Sequence, residues 1–371
     1  MGDPVDSSDQ SSSEHQQKLN VVSHIKAGFL KLGHNVDDAV ILESLENCKK
    51  LGVTNSFMSL NVDGNEYLVR INGRLWAPYQ RKHEQMSLDL LAQQKIATSV
   101  LVNDVIHGVQ ICQSYPQQQS YAAIVRSGDP EKIKQANLIM TKTIAKYQGL
   151  RFKPNEEQEI VFYQLAEMLE NTANKIEMMF TEAEDDEKKQ KLLHLLESSK
   201  KIAEVLHHCH KSHVFFHGDL LPNSVYIDFD SAQAIVVDWE YSVYGYWSVD
   251  LAKVSCSMSV EQMLELGDMY HTALLGDASG RMPVEMQYAL QMNRFTHQYL
   301  DLAWKVNAEN YTNYEPKIDA MLTELQTFEP GLNELHLRTK SQPGMFSHIN
   351  TPYYPASGSS LNPVQPLQSK L

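Results

Sequence analysis

Val214-Phe215-Phe216-His217-Gly218-Asp219-Leu220-Leu221-Pro222-Asn223, followed by Ile235-Val236-Val237-Asp238-Trp239-Glu240, is the stretch that decides the reading of this chain. An apolar run ends in His-x-Asp, a polar loop follows, and a second apolar run ends in another acid. Read as one hairpin, the two runs set Asp219 and Asp238 at the mouth of a single cleft. Phosphoryl transfer from a nucleotide needs such a pair. One carboxylate aligns the attacking hydroxyl and takes its proton, and the other holds the metal that neutralises the phosphates. A His-Gly-Asp turn that merely caps a loop is the plain alternative for Asp219 alone; the second acid argues against it.

The residues around this pair fall into roles. Asp219 is the expected catalytic carboxylate, with His217 beside it. Asp238 and Glu240 stand two apart, on one face of an extended segment, so both are candidate metal ligands. Asp250, in Ser248-Val249-Asp250-Leu251-Ala252, opens a helix and is expected to support the loop by hydrogen bonds rather than to do chemistry. Arg70 ends the strand run Glu66–Val69, and Glu84 lies on the helix after it. A strand cation paired with a helical Glu is one way to clamp nucleotide phosphates; a surface Arg and a surface Glu are the alternative. No Gly-x-Gly-x-x-Gly loop is present. Gly52-Val53-Thr54-Asn55-Ser56 stands in its place, where Thr54, Asn55 and backbone N–H groups are expected to meet phosphates.

Outward from the site, the chain of 371 residues is long enough for two lobes, and at 42% hydrophobic and 21% charged it can bury a substantial core. A net charge of -14 argues against a nucleic-acid binder, which wants a basic face, and suits a cationic ligand. Cys48, Cys112, Cys209 and Cys256 are scattered without a Cys-x-x-Cys pair, so a reducing, cytoplasmic setting is expected. No apolar run is long enough to span a bilayer, and the polar N-terminus is not a signal peptide. His207, His208, His210 and His213 cluster beside Cys209, but no second ligand group is spaced for a tetrahedral metal site, so a solvated helix end is expected.

Texture divides the chain. Residues 1–18 read as a disordered tail and 339–371, rich in Pro, Ser and Gln, as another. Residues 19–115 form a β-containing N-lobe. There Phe57–Val62 and Glu66–Ile71 predict a hairpin around Asp63-Gly64-Asn65, and Arg81–Gln94 predicts a helix. Residues 116–338 form a helical C-lobe, with helices near 130–147, 155–180 and 186–212 and more between about 259 and 335. The fold class is α+β. Among the late aromatics, Trp304 is the candidate to wall a cation pocket, with Tyr244 and Tyr246 beside the acids; core packing is the alternative.

The run Asp238-Trp239-Glu240-Tyr241-Ser242-Val243-Tyr244-Gly245-Tyr246, with Asp250 after it, resembles the metal motif of the choline/ethanolamine kinase branch of the aminoglycoside phosphotransferase-like family. Thr54-Asn55, Leu68-Val69-Arg70-Ile71 and Arg81-x-x-Glu84 resemble its N-lobe motifs. The resemblance implies a bilobal protein-kinase-like fold, ATP with Mg²⁺, and phosphorylation of a small alcohol, with choline the leading acceptor. An aminoglycoside, thiamine or a sugar-like alcohol is the neighbouring reading, and a degenerate kinase-fold binding protein the distant one. One departure stands out. The family places a metal-binding Asn five residues after the catalytic Asp; here that place is Ser224, with Asn223 one residue early, so either is a candidate for the second metal position.

Overall fold

The computed structural model describes residues 7–47, 55–72, 78–114, 118–150, 186–208, 214–275, 280–305 and 311–341. Among these the chain builds a small sheet lobe and a larger helical lobe, joined through the segment that carries the acids.

The first lobe begins with helices α1 (Ser7–Lys31) and α2 (Asp38–Glu46). Asp37 caps α2, its side chain accepting from Ala39 N at 2.9 Å. The tail expected over 1–18 therefore gives way to helix from Ser7. The buried anchors Val22, Ile25 and Phe29 lie downstream, and the early turns extend a helix that packing has already nucleated. Strands β1 (Asn55–Val62) and β2 (Asn65–Asn72) pair antiparallel with Val62 opposite Asn65. The turn is thus the two residues Asp63 and Gly64, at φ 53° and 80°, where a tight hairpin wants positive φ at both central positions. Helix α3 (Pro78–Gln93) follows, and β3 (Val100–Asp104) and β4 (Val109–Gln113) complete a sheet ordered β1-β2-β4-β3. Phe29, Ile41, Met58, Leu60, Val69 and Ile111 form its core.

Strand β5 (Gln119–Ser120) and helices α4 (Tyr121–Ser127), α5 (Pro130–Gln148) and α6 (Asp186–His208) lead to the site. Strand β6 (Val214–Phe216) comes next, then β7 (Val225–Asp228), β8 (Gln233–Val236) and β9 (Val243–Gly245). The expected single hairpin is corrected here. Run 214–216 does not pair with run 235–237; β6 pairs with β9, and β7 pairs with β8. Asp219 lies in the loop between β6 and β7, and Asp238 just past β8. Helices α7 (Ser248–Val254), α8 (Val260–Leu275), α9 (Val284–Lys305) and α10 (Tyr311–Ser341) close the lobe. Its core runs through Tyr147, Phe215, Trp239, Trp247 and Phe295. Among the described residues no helix is long and apolar enough to cross a membrane.

Candidate active site

The catalytic loop is shaped by one glycine and one buried acid. Gly218 sits at φ 87°, and a methyl group there would run into the carbonyl oxygen of Tyr241. Only glycine allows both the conformation and the approach. Beneath the loop, Asp250 on α7 is fully buried and accepts three hydrogen bonds: His217 N at 2.8 Å, Gly218 N at 3.1 Å, and Tyr147 Oη at 2.6 Å. Burial pushes its carboxyl up, against the pull of His217 and these donors. His217 is buried too. Its Nδ1 accepts from Asp219 N at 3.2 Å, which leaves Nε2 to donate to Val237 O at 2.8 Å. Asp250 thus contacts the loop backbone through two of these bonds. His217, expected among the catalytic groups, braces the loop against the strand that delivers Asp238.

The second acid pair is set by Trp239. Its ring is buried between Phe215, stacked at 5.8 Å, and Tyr147, edge-on at 5.1 Å, and its Nε1 donates to Val236 O at 2.8 Å. Asp238 before it takes φ 72° and ψ 50°, a left-handed conformation uncommon for a side chain of this kind. Strain of this sort costs about 1–3 kcal/mol and persists only where the surroundings impose it. Here it turns both Asp238 and Glu240 toward the sheet lobe. Asn55 Nδ2 reaches Glu240 Oε2 at 3.1 Å and Asp238 Oδ1 at 3.5 Å. Arg70 Nη1 and Nη2 stand 3.9 Å from Asp238 Oδ1 and Glu240 Oε2.

Arg70 is held by Glu84 through two parallel hydrogen bonds, 2.7 and 2.8 Å long. Both side chains are buried, so this pair is no surface accident. Burial works against the Arg70 charge, but Glu84, Asp238 and Glu240 outweigh it and leave the guanidinium's pKa raised. The Asp238 carboxyl is pushed up to about 6, by burial first and then by Glu240, with Arg70 opposing. Two crowded carboxylates with one shared arginine are short of positive charge. Their oxygen donors suit a hard divalent cation, which would supply it.

Some expected residues are placed elsewhere. Ser224 is buried, with its carbonyl accepting from Val237 N at 2.9 Å, beside Asp238. Asn223 instead lines a cleft with Pro222, Arg126, Lys134 and Met258. Tyr246 is corrected: it is core, 1% exposed, with its hydroxyl donating to Leu206 O at 3.0 Å, so it walls no pocket. Tyr244 is half-buried and packs its ring edge against Phe215 at 5.8 Å. Thr54 lies outside the described residues, as do the side chains of Trp304, His207 and His208, residues 209–213, the 155–180 helix and the tail from 342. Lys253 was not singled out by the sequence, yet its Nζ lies 3.0 Å from Asp219 Oδ1. Nothing local marks it; it sits on α7 three residues after Asp250.

The sequence profile described as choline/ethanolamine kinase matches residues 49–336. No curated protein matches the sequence. Among solved structures, a choline kinase from Cryptosporidium parvum Iowa II is similar, with TM-score 0.55 at 14% identity over 78% of this chain and 91% of that one. A choline/ethanolamine kinase family protein from Mesorhizobium loti gives TM-score 0.52 at 15% identity, covering 81% and 90%. A type I macrolide 2'-phosphotransferase gives TM-score 0.52 at 14% identity, covering 81% and 94%. At these identities the likeness is one of fold, the protein-kinase-like one.

Proposed function

The chain belongs to the choline/ethanolamine kinase family, and on that premise we propose that it transfers the γ-phosphoryl group of ATP, with Mg²⁺, to the hydroxyl of choline or a related small amino alcohol in the cytoplasm. The observation that carries this reading is the convergence of Asn55, Arg70, Asp238 and Glu240 beside a catalytic loop whose backbone is held by Asp250.

Each residue has a task in it. Asp238 and Glu240 hold the divalent cation, with Ser224 the nearer candidate for a further ligand because it adjoins Asp238 through Val237. The cation, when bound, neutralises phosphate charge and orients the transferring group. Arg70, fixed by Glu84, keeps the two acids apart and oriented, and Asn55 caps their oxygens. Asp219 orients the acceptor hydroxyl and takes its proton. His217 and Asp250 hold the peptide that carries Asp219.

The net charge of -14 favours a cationic acceptor. An ATP-consumption screen with choline, ethanolamine, thiamine, an aminoglycoside and simple sugars tests the assignment. Turnover with choline or ethanolamine supports it. Turnover with an aminoglycoside alone keeps the kinase and removes the amino alcohol. Nucleotide binding without turnover on any acceptor favours the non-catalytic reading.

A further inference from the structure

The loop carboxylate has a cationic partner with no task in the mechanism above. Lys253 Nζ lies 3.0 Å from Asp219 Oδ1. It occupies the last turn of α7, whose first turn carries Asp250. One short helix therefore fixes the backbone of the catalytic loop with one side chain and an oxygen of its carboxylate with another. Asp219 Oδ2 makes no hydrogen bond or ion pair among the described residues. It is left to receive a hydroxyl.

Stability does not explain the pair. The Lys253 side chain is 25% exposed and that of Asp219 35%, and ion pairs this open contribute little to folding. Nor does Lys253 balance a second acid: Asp219 is its one carboxylate partner among the described residues. The neighbours that feel its charge from α9 and from the segment after α7 are uncharged. His297 is fully buried and its pKa is pulled down to about 3, by burial first with Lys253 adding; the Cys256 thiol is pushed up to about 11, mainly by burial. Lys253 is thus an unshared positive charge at the carboxylate where the acceptor reacts. On the same side, the place five residues after Asp219 is Ser224, a neutral hydroxyl.

We infer that Lys253 is a positioning residue for Asp219 and the cation that meets the transferring phosphoryl group; this rests on the phosphotransferase reading of the site. The acceptor hydroxyl donates to Asp219 Oδ2, at about 3 Å. Its oxygen forms the new bond to the γ-phosphorus while the bond from that phosphorus to the β–γ bridging oxygen breaks. ADP leaves with that electron pair, and the hydroxyl proton passes to Asp219. As Asp219 loses its negative charge, the Lys253 ammonium, on its flexible stem, exchanges Oδ1 for an oxygen of the phosphoryl group. A donor that gains this partner only as Asp219 is neutralised acts on the transition state more than on the bound nucleotide.

Calorimetric titration of the full chain with ADP and Mg²⁺, with and without tetrafluoroaluminate as the mimic of the transferring group, tests this in wild type, Lys253→Met and Lys253→Arg. Lys253→Met is expected to keep the wild-type melting temperature and ADP affinity and to lose about 10²–10³-fold in affinity for the ADP–fluoride complex. Lys253→Arg, which keeps the charge, is expected to recover most of that. With an acceptor that wild type turns over, the Met variant should lose kcat to the same extent with KM for ATP unchanged. Three results overturn the inference: wild-type affinity of Lys253→Met for the mimic, an equal loss for ADP and the mimic, or a wild-type protein that binds ADP and gains nothing from the fluoride. A wild-type protein that binds no nucleotide overturns the phosphotransferase reading itself, and this inference with it.

Discussion

Arg70 closes two parallel hydrogen bonds onto Glu84, and the same guanidinium stands 3.9 Å from both Asp238 and Glu240. Strand β2, helix α3 and the segment after β8 thus meet at a single charge. The meeting is reinforced nearby, where Ser242 Oγ donates to Ser87 Oγ at 3.2 Å. One cation faces three carboxylates there, an imbalance that a bound divalent ion would offset. Glu84→Ala is expected to lower stability by about 3–5 kcal/mol, because it strands a buried guanidinium. Urea unfolding of the variant measures this. A cost under about 1 kcal/mol would mean that Asp238 and Glu240 replace the lost partner in full.

Asp219→Asn is expected to fold and bind nucleotide as wild type does and to lose turnover by about 10²–10⁴-fold. Its side chain is partly open and makes no core contact that the amide would break. Normal turnover in a well-folded variant would remove Asp219 from the mechanism.

The Asp238 carboxyl, raised to about 6, gives the proposed metal site a pH dependence. Its protonated form cannot bind a cation, so Mg²⁺ affinity is expected to fall as pH drops through about 6 and to level off above 7. Isothermal titration with Mg²⁺ at a series of pH values reads the trend directly. Asp238→Ala should abolish it together with Mg²⁺-dependent nucleotide binding. A pH-independent affinity would show that other groups hold the ion.

Gly218→Ala combines a forbidden conformation with a clash against the Tyr241 carbonyl. The strain alone costs about 1–3 kcal/mol, and the loop moves to relieve the clash. Both a lower melting temperature and a collapse of kcat are expected. A variant with full activity would show that the loop has room elsewhere.

His297 ties stability to pH. Its imidazole is fully buried, and burial, with Lys253 adding, holds its pKa near about 3. In the unfolded chain it titrates near its ordinary value of about 6.5. Between those values the unfolded state binds the extra proton. The stabilising contribution is therefore whole above about pH 6.5 and falls by about 1.4 kcal/mol per unit as pH drops. Raised carboxylates such as Asp238 work the other way in this window. The comparison that isolates His297 is wild type against His297→Leu, by urea unfolding at pH 7 and 5.5. Parallel pH profiles would show that His297 is charged or solvated in the native state.

Much of the site was legible because it is local. The apolar-run, His-x-Asp and Asp-x-Glu texture needs no long-range contact to be seen, and Asp63-Gly64 names its own turn. The pairing of β6 with β9 was not legible. Both strands are three residues long, and no turn joins them, so the nearer apolar run 235–237 looks like the partner. Tyr246 and Tyr244 are alike in sequence, and only the packing puts one hydroxyl on a buried carbonyl and leaves the other ring half-buried. Lys253 is a single lysine on a short helix, and its meaning exists only where that helix meets the loop. Residues 7–18 looked unstructured because their sequence is polar and offers almost nothing to bury; their helix runs on into the anchors after them.

Asp250 and Lys253 are one helical turn apart on α7, and that spacing divides the site mechanically. The loop that carries Asp219 is tied to α7 through Asp250 and Lys253. Asp238 and Glu240 are tied to Asn55 and Arg70 across the cleft. The two halves are stitched by the bonds from Val237 to His217 and to Ser224. The spacing between Asp219 on one side and Asp238 and Glu240 on the other is therefore fixed at the Val237 peptide, by its N–H and C=O rather than by its side chain.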